Sequence, residues 1–236
     1  RVFEHLYSHG DFEIALADTS FKVRHYGYQL ENELFWRGID KGPEAVSLRI
    51  WMQLARTAQC ILDVGANTGI YALAARAVNP KAEIYAFEPI KRIFEKLVAN
   101  RDINRFEINL IEAAASDTTG MASIFDTSDE HSYTVTMNRQ AITNPATAIE
   151  RQIKTLRLDD FINQEKLPRI DLMKIDVEHH EPEVLIGMGK YLQQMRPTLL
   201  VEIVSDEVGR RVQELVKGLD YLYFDIDEIG APLPVK

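Results

Sequence analysis

The chain has 236 residues, 46% of them hydrophobic, with 36 acidic against 27 basic residues and a formal net charge of −9. That length suits one α/β domain with a sizeable core. The acidic balance argues against nucleic acid as a partner, because phosphate backbones repel it and the pair Arg210–Arg211 is too short to reverse the sign.

No apolar run approaches the roughly 18 residues of a membrane span, and residues 1–18 lack the apolar core of a signal peptide. What precedes Arg1 is left open. The one cysteine, Cys60, excludes an intrachain disulfide and reads as core filling, so the expected location is cytoplasmic.

Residues 12–26 alternate apolar and polar around Asp18-Thr19-Ser20 and read as a β-hairpin. Pro43 opens a helix with Val46, Ile50, Trp51 and Leu54 on one side. From Cys60 the pattern becomes strand, turn, helix. Strands are expected at 60–64, 84–87 and 108–115, with a helix over 70–78 and another started by Pro89. Residues 120–125 read as a strand, and 127–150 as a long polar loop over the pocket. Further strands follow at 170–177, 198–204 and 221–226, with helices opened by Pro182 and over 208–219. Apolar strands alternating with helices imply a parallel sheet covered on both faces, a Rossmann-like α/β fold.

The strongest local signal is Asp63-Val64-Gly65-Ala66-Asn67-Thr68-Gly69, which joins a buried strand to a helix. Gly65 and Gly69 let the backbone turn tightly and approach a ligand. A dinucleotide loop reads G-x-G-x-x-G, and its second glycine admits the pyrophosphate. Here Asn67 takes that place. S-adenosylmethionine carries no phosphate and needs only room for its methionine end, so the loop favours it over NAD. Glu88 ends the next strand, where a carboxylate can accept from both ribose hydroxyls; as a plain surface acid it would merely favour a helix start. Ser116 and Asp117 follow the third strand, where Asp117 can accept from an adenine amino group or simply form a turn before Gly120.

With Phe87-Glu88-Pro89, Ala114-Ala115-Ser116-Asp117, Leu158-Asp159-Asp160 and Lys174-Ile175-Asp176-Val177-Glu178, these motifs occur in an order that resembles the FkbM-type SAM-dependent methyltransferases, over about 44–202. The resemblance implies a seven-stranded methyltransferase fold and O-methylation of a hydroxyl on a sugar, glycan or natural product. It extends the donor-binding set to Asp63, Gly65, Ala66, Asn67, Gly69, Glu88, Pro89, Ser116, Asp117 and Asp176. One departure shows: His179 stands where the family usually has glycine, at a place where φ > 0 is expected.

Alcohols are poor nucleophiles while protonated, so a base or an acidifying metal is needed. Asp176, Glu178, His179, His180 and Glu181 cluster after the strand at 170–177. His180 is the expected base, with His179 or Glu178 behind it and Asp176 orienting donor or acceptor; the bland reading is that the imidazoles only cap the next helix. Asp176 and Glu202 end adjacent strands and resemble the Mg²⁺ carboxylates of catechol-type O-methyltransferases, although Ile203 cannot serve as a third ligand. His131, Tyr133 and Asn138 are candidate acceptor contacts, Phe35 and Trp36 a second wall, and Glu44 a weaker contact from the lid side.

The expected organisation is an N-terminal hairpin and helical lid over 1–42 on a methyltransferase domain over 43–236. The partner is a small-molecule or glycan acceptor with a free hydroxyl, and oligomeric state is open. The rivals are an NAD-linked oxidoreductase and a non-enzymatic SAM-binding module.

Overall fold

The computed structural model describes residues 9–42, 44–127, 148–228 and 233–234. An antiparallel hairpin comes first, β1 (Gly10–Ala15) and β2 (Ser20–His25), paired from Gly10↔His25 to Ala15↔Ser20. Two helices follow, α1 (Gln29–Arg37) and α2 (Ala45–Ala55). The alternating core then runs β3 (Cys60–Val64), α3 (Ile70–Val78), β4 (Glu83–Phe87), α4 (Lys91–Asn104) and β5 (Asn109–Ile111). After it come β6 (Ala114–Ser116), β7 (Gly120–Thr127), β8 (Ala148–Arg157), α5 (Leu158–Glu165) and β9 (Leu172–Ile175). The remainder is α6 (Glu181–Gly187), α7 (Lys190–Met195), β10 (Thr198–Val201), α8 (Asp206–Val216), β11 (Phe224–Asp225) and β12 (Leu233–Pro234).

The central sheet is parallel, in the order β10-β9-β3-β4-β5. Its strands are near-continuous apolar runs because both faces are covered. Their side chains alternate between two cores. Ile61, Ile84 and Leu172 face α2, α3 and the hairpin; Leu62, Phe87, Met173 and Ile175 face α5 and α6. The hairpin residues Phe21 and Val23 share the first core with Trp51 and Leu73, so residues 9–42 pack into the domain and not merely over it. From β3 the chain proceeds outward to β4 and β5, then returns to place β9 on the other side of β3. That reversal creates the crevice where ligands bind in open α/β sheets.

Three expectations need correction. The strand expected over 108–115 is two strands: the Ala113 N–H turns back to the Ile111 carbonyl at 3.0 Å, and β6 joins a separate sheet, β6-β8-β7. Pro89 precedes its helix; Ile90 is the N-cap and α4 begins at Lys91. The polar stretch 127–150 begins and ends in strand, and β8 is an element the sequence reading lacks. Among the described residues the central sheet holds five strands where the resemblance implies seven. Pro43, as helix opener, lies outside the described residues, as do His131, Tyr133 and Asn138. Among the described residues no helix is long and apolar enough to cross a membrane.

Candidate active site

The central strands end level with one another. Val64 pairs with both Phe87 and Ile175, and Ile175 with Val201. The next residue of each strand carries a functional group or a turn: Gly65, Glu88, Asp176 and Glu202. Their N–H groups carry the ladder one step further, Gly65 to the Phe87 carbonyl at 3.1 Å, Asp176 to Val64 at 3.0 Å and Glu202 to Ile175 at 3.0 Å. A cavity of about 400 Å³ opens over this edge, lined by Gly65, Ala66, Asn67, Thr68, Glu88, Pro89, Asp176, Glu178, His180 and Glu202, with Glu44 and Tyr71 from the hairpin side. Asp63, Gly69, Ser116, Asp117 and His179 do not line it.

The glycine loop is held from two sides. Gly65 has φ +79°, and a Cβ there would lie 1.8 Å from the Asp176 carbonyl oxygen. The glycine is needed because the loop rests on the chain leaving β9; a side chain would strike that backbone before filling the cavity. At Gly69 (φ +95°) a Cβ would come within 2.5 Å of Leu97 Cδ1, so this glycine serves the contact with α4. Asn67 adopts φ +52°, and its N–H donates to Glu88 Oε2 at 3.1 Å. Glu88 Oε1 accepts from the Ile90 N–H at 2.9 Å. Two backbone donors thus fix the carboxylate while each oxygen keeps a lone pair for a ligand. Burial pushes the Glu88 carboxyl up to about 7. The buried Asn67 Oδ1 has no protein partner, a polar atom awaiting a donor. Asp63 is fully buried within β3, and burial lifts its carboxyl to about 6.

At β9 the decisive side chain is Lys174, which the sequence reading did not select. A lone cation in the apolar run Leu172–Ile175 was the available signal. Its Nζ donates to Asp176 Oδ2 at 2.7 Å and stands 4.6 Å from the centre of the Tyr71 ring. Burial alone would lower the ammonium's pKa, but Asp176 and Asp63 outweigh it and hold it above its usual value. Burial works against the Asp176 charge too, yet Lys174 and a hydrogen bond with Glu202 keep that carboxyl below its usual range. Burial and the same hydrogen bond push Glu202 up to about 8, so the pair holds one proton at neutral pH, on Glu202. The Tyr71 hydroxyl donates to Glu44 Oε2 at 2.7 Å, tying α2 to the cavity wall.

This donor set does not fit the expected Mg²⁺ site. Asp176 is engaged by the Lys174 ammonium, and among the described residues no group of three or more possible ligands converges.

The turn after β9 is strained. His179 has φ +76°, the positive value expected at the usual glycine position, and Glu178 before it, where none was expected, has φ +54°. Glu181, fully buried, holds the turn by accepting the Val177 N–H at 3.1 Å. The result turns His179 outward to solvent and Glu178 and His180 toward the cavity. His180 Nε2 lies 3.0 Å from Ser116 Oγ, which in turn lies 3.2 Å from Asp117 Oδ1; Nδ1 faces Glu183 at 3.6 Å. Burial lowers the imidazole pKa, so the ring is neutral at neutral pH. Ser116 and Asp117 therefore reach the site through His180. Phe35 packs edge-on against Phe12 (5.3 Å) and Trp36 (5.0 Å); neither Phe35 nor Trp36 lines the cavity, whereas Leu30 of α1 does.

Residues 63–225, more than half of the chain, match the family described as the methyltransferase FkbM domain. The chain belongs to the FkbM methyltransferase family. As a member of the FkbM family it is a methyltransferase, which replaces the oxidoreductase and non-enzymatic readings. The FkbM-family chain is similar to the hexuronic acid methyltransferase AglP of Haloferax volcanii, 28% identical over 201 residues, 85% of this chain and 79% of that protein. It is similar also to the 2-O-methyltransferase NoeI of Sinorhizobium fredii, 26% identical over 69% of this chain and 71% of that one. With the 31-O-demethyl-FK506 methyltransferase FkbM of Streptomyces tacrolimicus it shares 28% identity over 56% of this chain, and it spans 60% of that protein's length.

Proposed function

We propose that this chain transfers the methyl group of S-adenosylmethionine to a hydroxyl oxygen of a sugar, glycan or natural-product acceptor. The observation that carries the reading is that one cavity joins the glycine loop and Glu88 to Glu178 and His180. Two relatives whose names specify a 2-O and a 31-O position support oxygen as the nucleophile, and a third named for a hexuronic acid supports a sugar-type acceptor.

The residues fit such a donor. Glu88 retains acceptor capacity on both oxygens for the two ribose hydroxyls, beside Pro89. Asn67 Oδ1 is a buried acceptor on the loop, and the Gly65 and Ala66 backbone lines the cavity beside it, where the methionine end would lie. Asp63 and Gly69 support the loop from behind. Asp176, charged because of Lys174, orients the donor's amino group or the acceptor hydroxyl. Ser116 and Asp117, which do not line the cavity, act on it by holding the His180 ring.

When bound, S-adenosylmethionine supplies an electrophilic methyl on a sulfonium, so that the oxygen–carbon bond forms as the sulfur–carbon bond breaks and sulfur keeps the electron pair. The neutral His180 imidazole takes the acceptor's hydroxyl proton on Nε2, in exchange for the contact of that nitrogen with Ser116 Oγ, while Nδ1 carries its proton toward Glu183; Glu178 is the adjacent acid and His179 a support of the turn. Alignment is the larger contribution, roughly 7–11 kcal/mol for well-oriented reactants. The test is transfer of labelled methyl from S-adenosylmethionine to a panel of sugars and hydroxylated natural products, with and without EDTA. Label in a methyl ether, insensitive to EDTA, is expected; label only on nitrogen or carbon, or a requirement for Mg²⁺, contradicts the proposal.

A further inference from the structure

Asn100 sits in the middle of α4 and is completely buried. Asparagine is a poor helix former and a costly core residue unless its amide is satisfied. Here both ends of the amide are engaged by other elements. Its Oδ1 accepts the Arg24 N–H of β2 at 2.9 Å, and its Nδ2 donates to the Thr68 carbonyl at 2.8 Å. Thr68 belongs to the glycine loop and lines the cavity. Glu31 of α1, also fully buried, accepts the Tyr26 N–H at 2.7 Å and lies beside the Thr68 side chain. Two buried polar side chains therefore run from the N-terminal hairpin and α1 to one residue of the loop.

One turn along the same helix, Asn104 makes a control within the molecule. Its Oδ1 accepts the Lys22 N–H at 2.6 Å and its Nδ2 donates to the Lys22 and Asn100 backbone carbonyls, both at 2.7 Å, so it fastens the hairpin to α4 and makes no bond to the loop. Asn100 does what Asn104 does, and in addition reaches Thr68.

We infer that Asn100 is a positioning residue for the donor site, by which the N-terminal hairpin fixes the glycine loop in its binding conformation. The hairpin is then a working part of the donor pocket and not only a cover for it. Preorganisation of this kind raises affinity by removing the cost of ordering the loop on binding. The inference deepens the proposed donor site and rests on that reading for its effect on affinity, while the effect on the loop itself stands apart.

The test compares Asn100→Leu with Asn104→Leu in the full chain, by amide hydrogen exchange over 65–69 without ligand and by calorimetry with S-adenosylmethionine. Asn100→Leu is expected to speed exchange in the loop and weaken binding about tenfold or more, the scale of one lost buried hydrogen bond. Asn104→Leu is expected to leave both within about twofold. Asn100→Asp keeps the acceptor for Arg24 and while ionised cannot donate to Thr68, so at pH above its carboxyl pKa it reads the same contact if the leucine variant does not fold. Equal effects of the two positions, or unchanged exchange over 65–69, overturn the inference, as does faster exchange with unaltered affinity. If the native chain binds no S-adenosylmethionine, the donor reading falls, and loop exchange alone decides whether Asn100 positions the loop.

Discussion

Among the residues of the cavity, His180 is the one whose role depends most on its surroundings. Burial depresses its pKa from the ordinary 6.5, because the desolvated ring favours the neutral form. A base must be neutral to accept a proton, so the transfer rate is expected to hold above that value and to fall as pH drops through a limb below 6.5. His180→Ala is expected to leave donor affinity nearly intact, slow transfer by roughly 10²–10⁴-fold and abolish the limb, read from single-turnover rates against pH. An unchanged rate moves the proton to Glu178. Much of this site was legible residue by residue: Glu88, Asp176, Glu178, His180 and Glu202 follow strand ends, and strand ends can be read from apolar runs. The partners of those groups were not. That Lys174 faces Asp176, and that Ser116 meets His180 across 64 positions of chain, depends on strand register and on the turn that Glu181 holds.

At the scale of elements, the loop between β3 and α3 owes its shape to close packing. The expected reason for Gly65 was room for a ligand; the structure shows contact with the backbone after β9. Gly65→Ala is therefore expected to destabilise the fold by about 1–3 kcal/mol, from a Cβ against the Asp176 carbonyl and a positive φ. Urea unfolding measures this. Native stability with lost binding would return Gly65 to a ligand-facing role. The helix expected over 70–78 is α3, because its apolar run is interrupted only by Arg76 and Asn79-Pro80 marks its end. β8 escaped notice because Glu150, Arg151, Gln152 and Lys154 surround its inward-facing Ile153 and Thr155, which masks the alternation. The break after Ile111 escaped because Glu112 and Ala113 carry no turn signal of their own.

At the scale of the whole molecule, the five-stranded parallel sheet of the described residues, with its reversal at β3 and β9, brings the glycine loop and the His180 imidazole to one edge. The alternation of strand and helix made that architecture readable, and the ordered motifs made the family readable. The packing of residues 9–42 into the first core was not, since hairpin periodicity says nothing of which surface the hairpin covers. The cavity over this edge is the proposed donor site for S-adenosylmethionine. Calorimetric titration of the purified chain with S-adenosylmethionine and with S-adenosylhomocysteine tests it most directly. Saturable one-to-one binding of both is expected, unaffected by EDTA and weakened by Glu88→Ala through loss of the two ribose contacts. Absence of binding by either ligand, or binding that Glu88→Ala leaves unchanged, contradicts it.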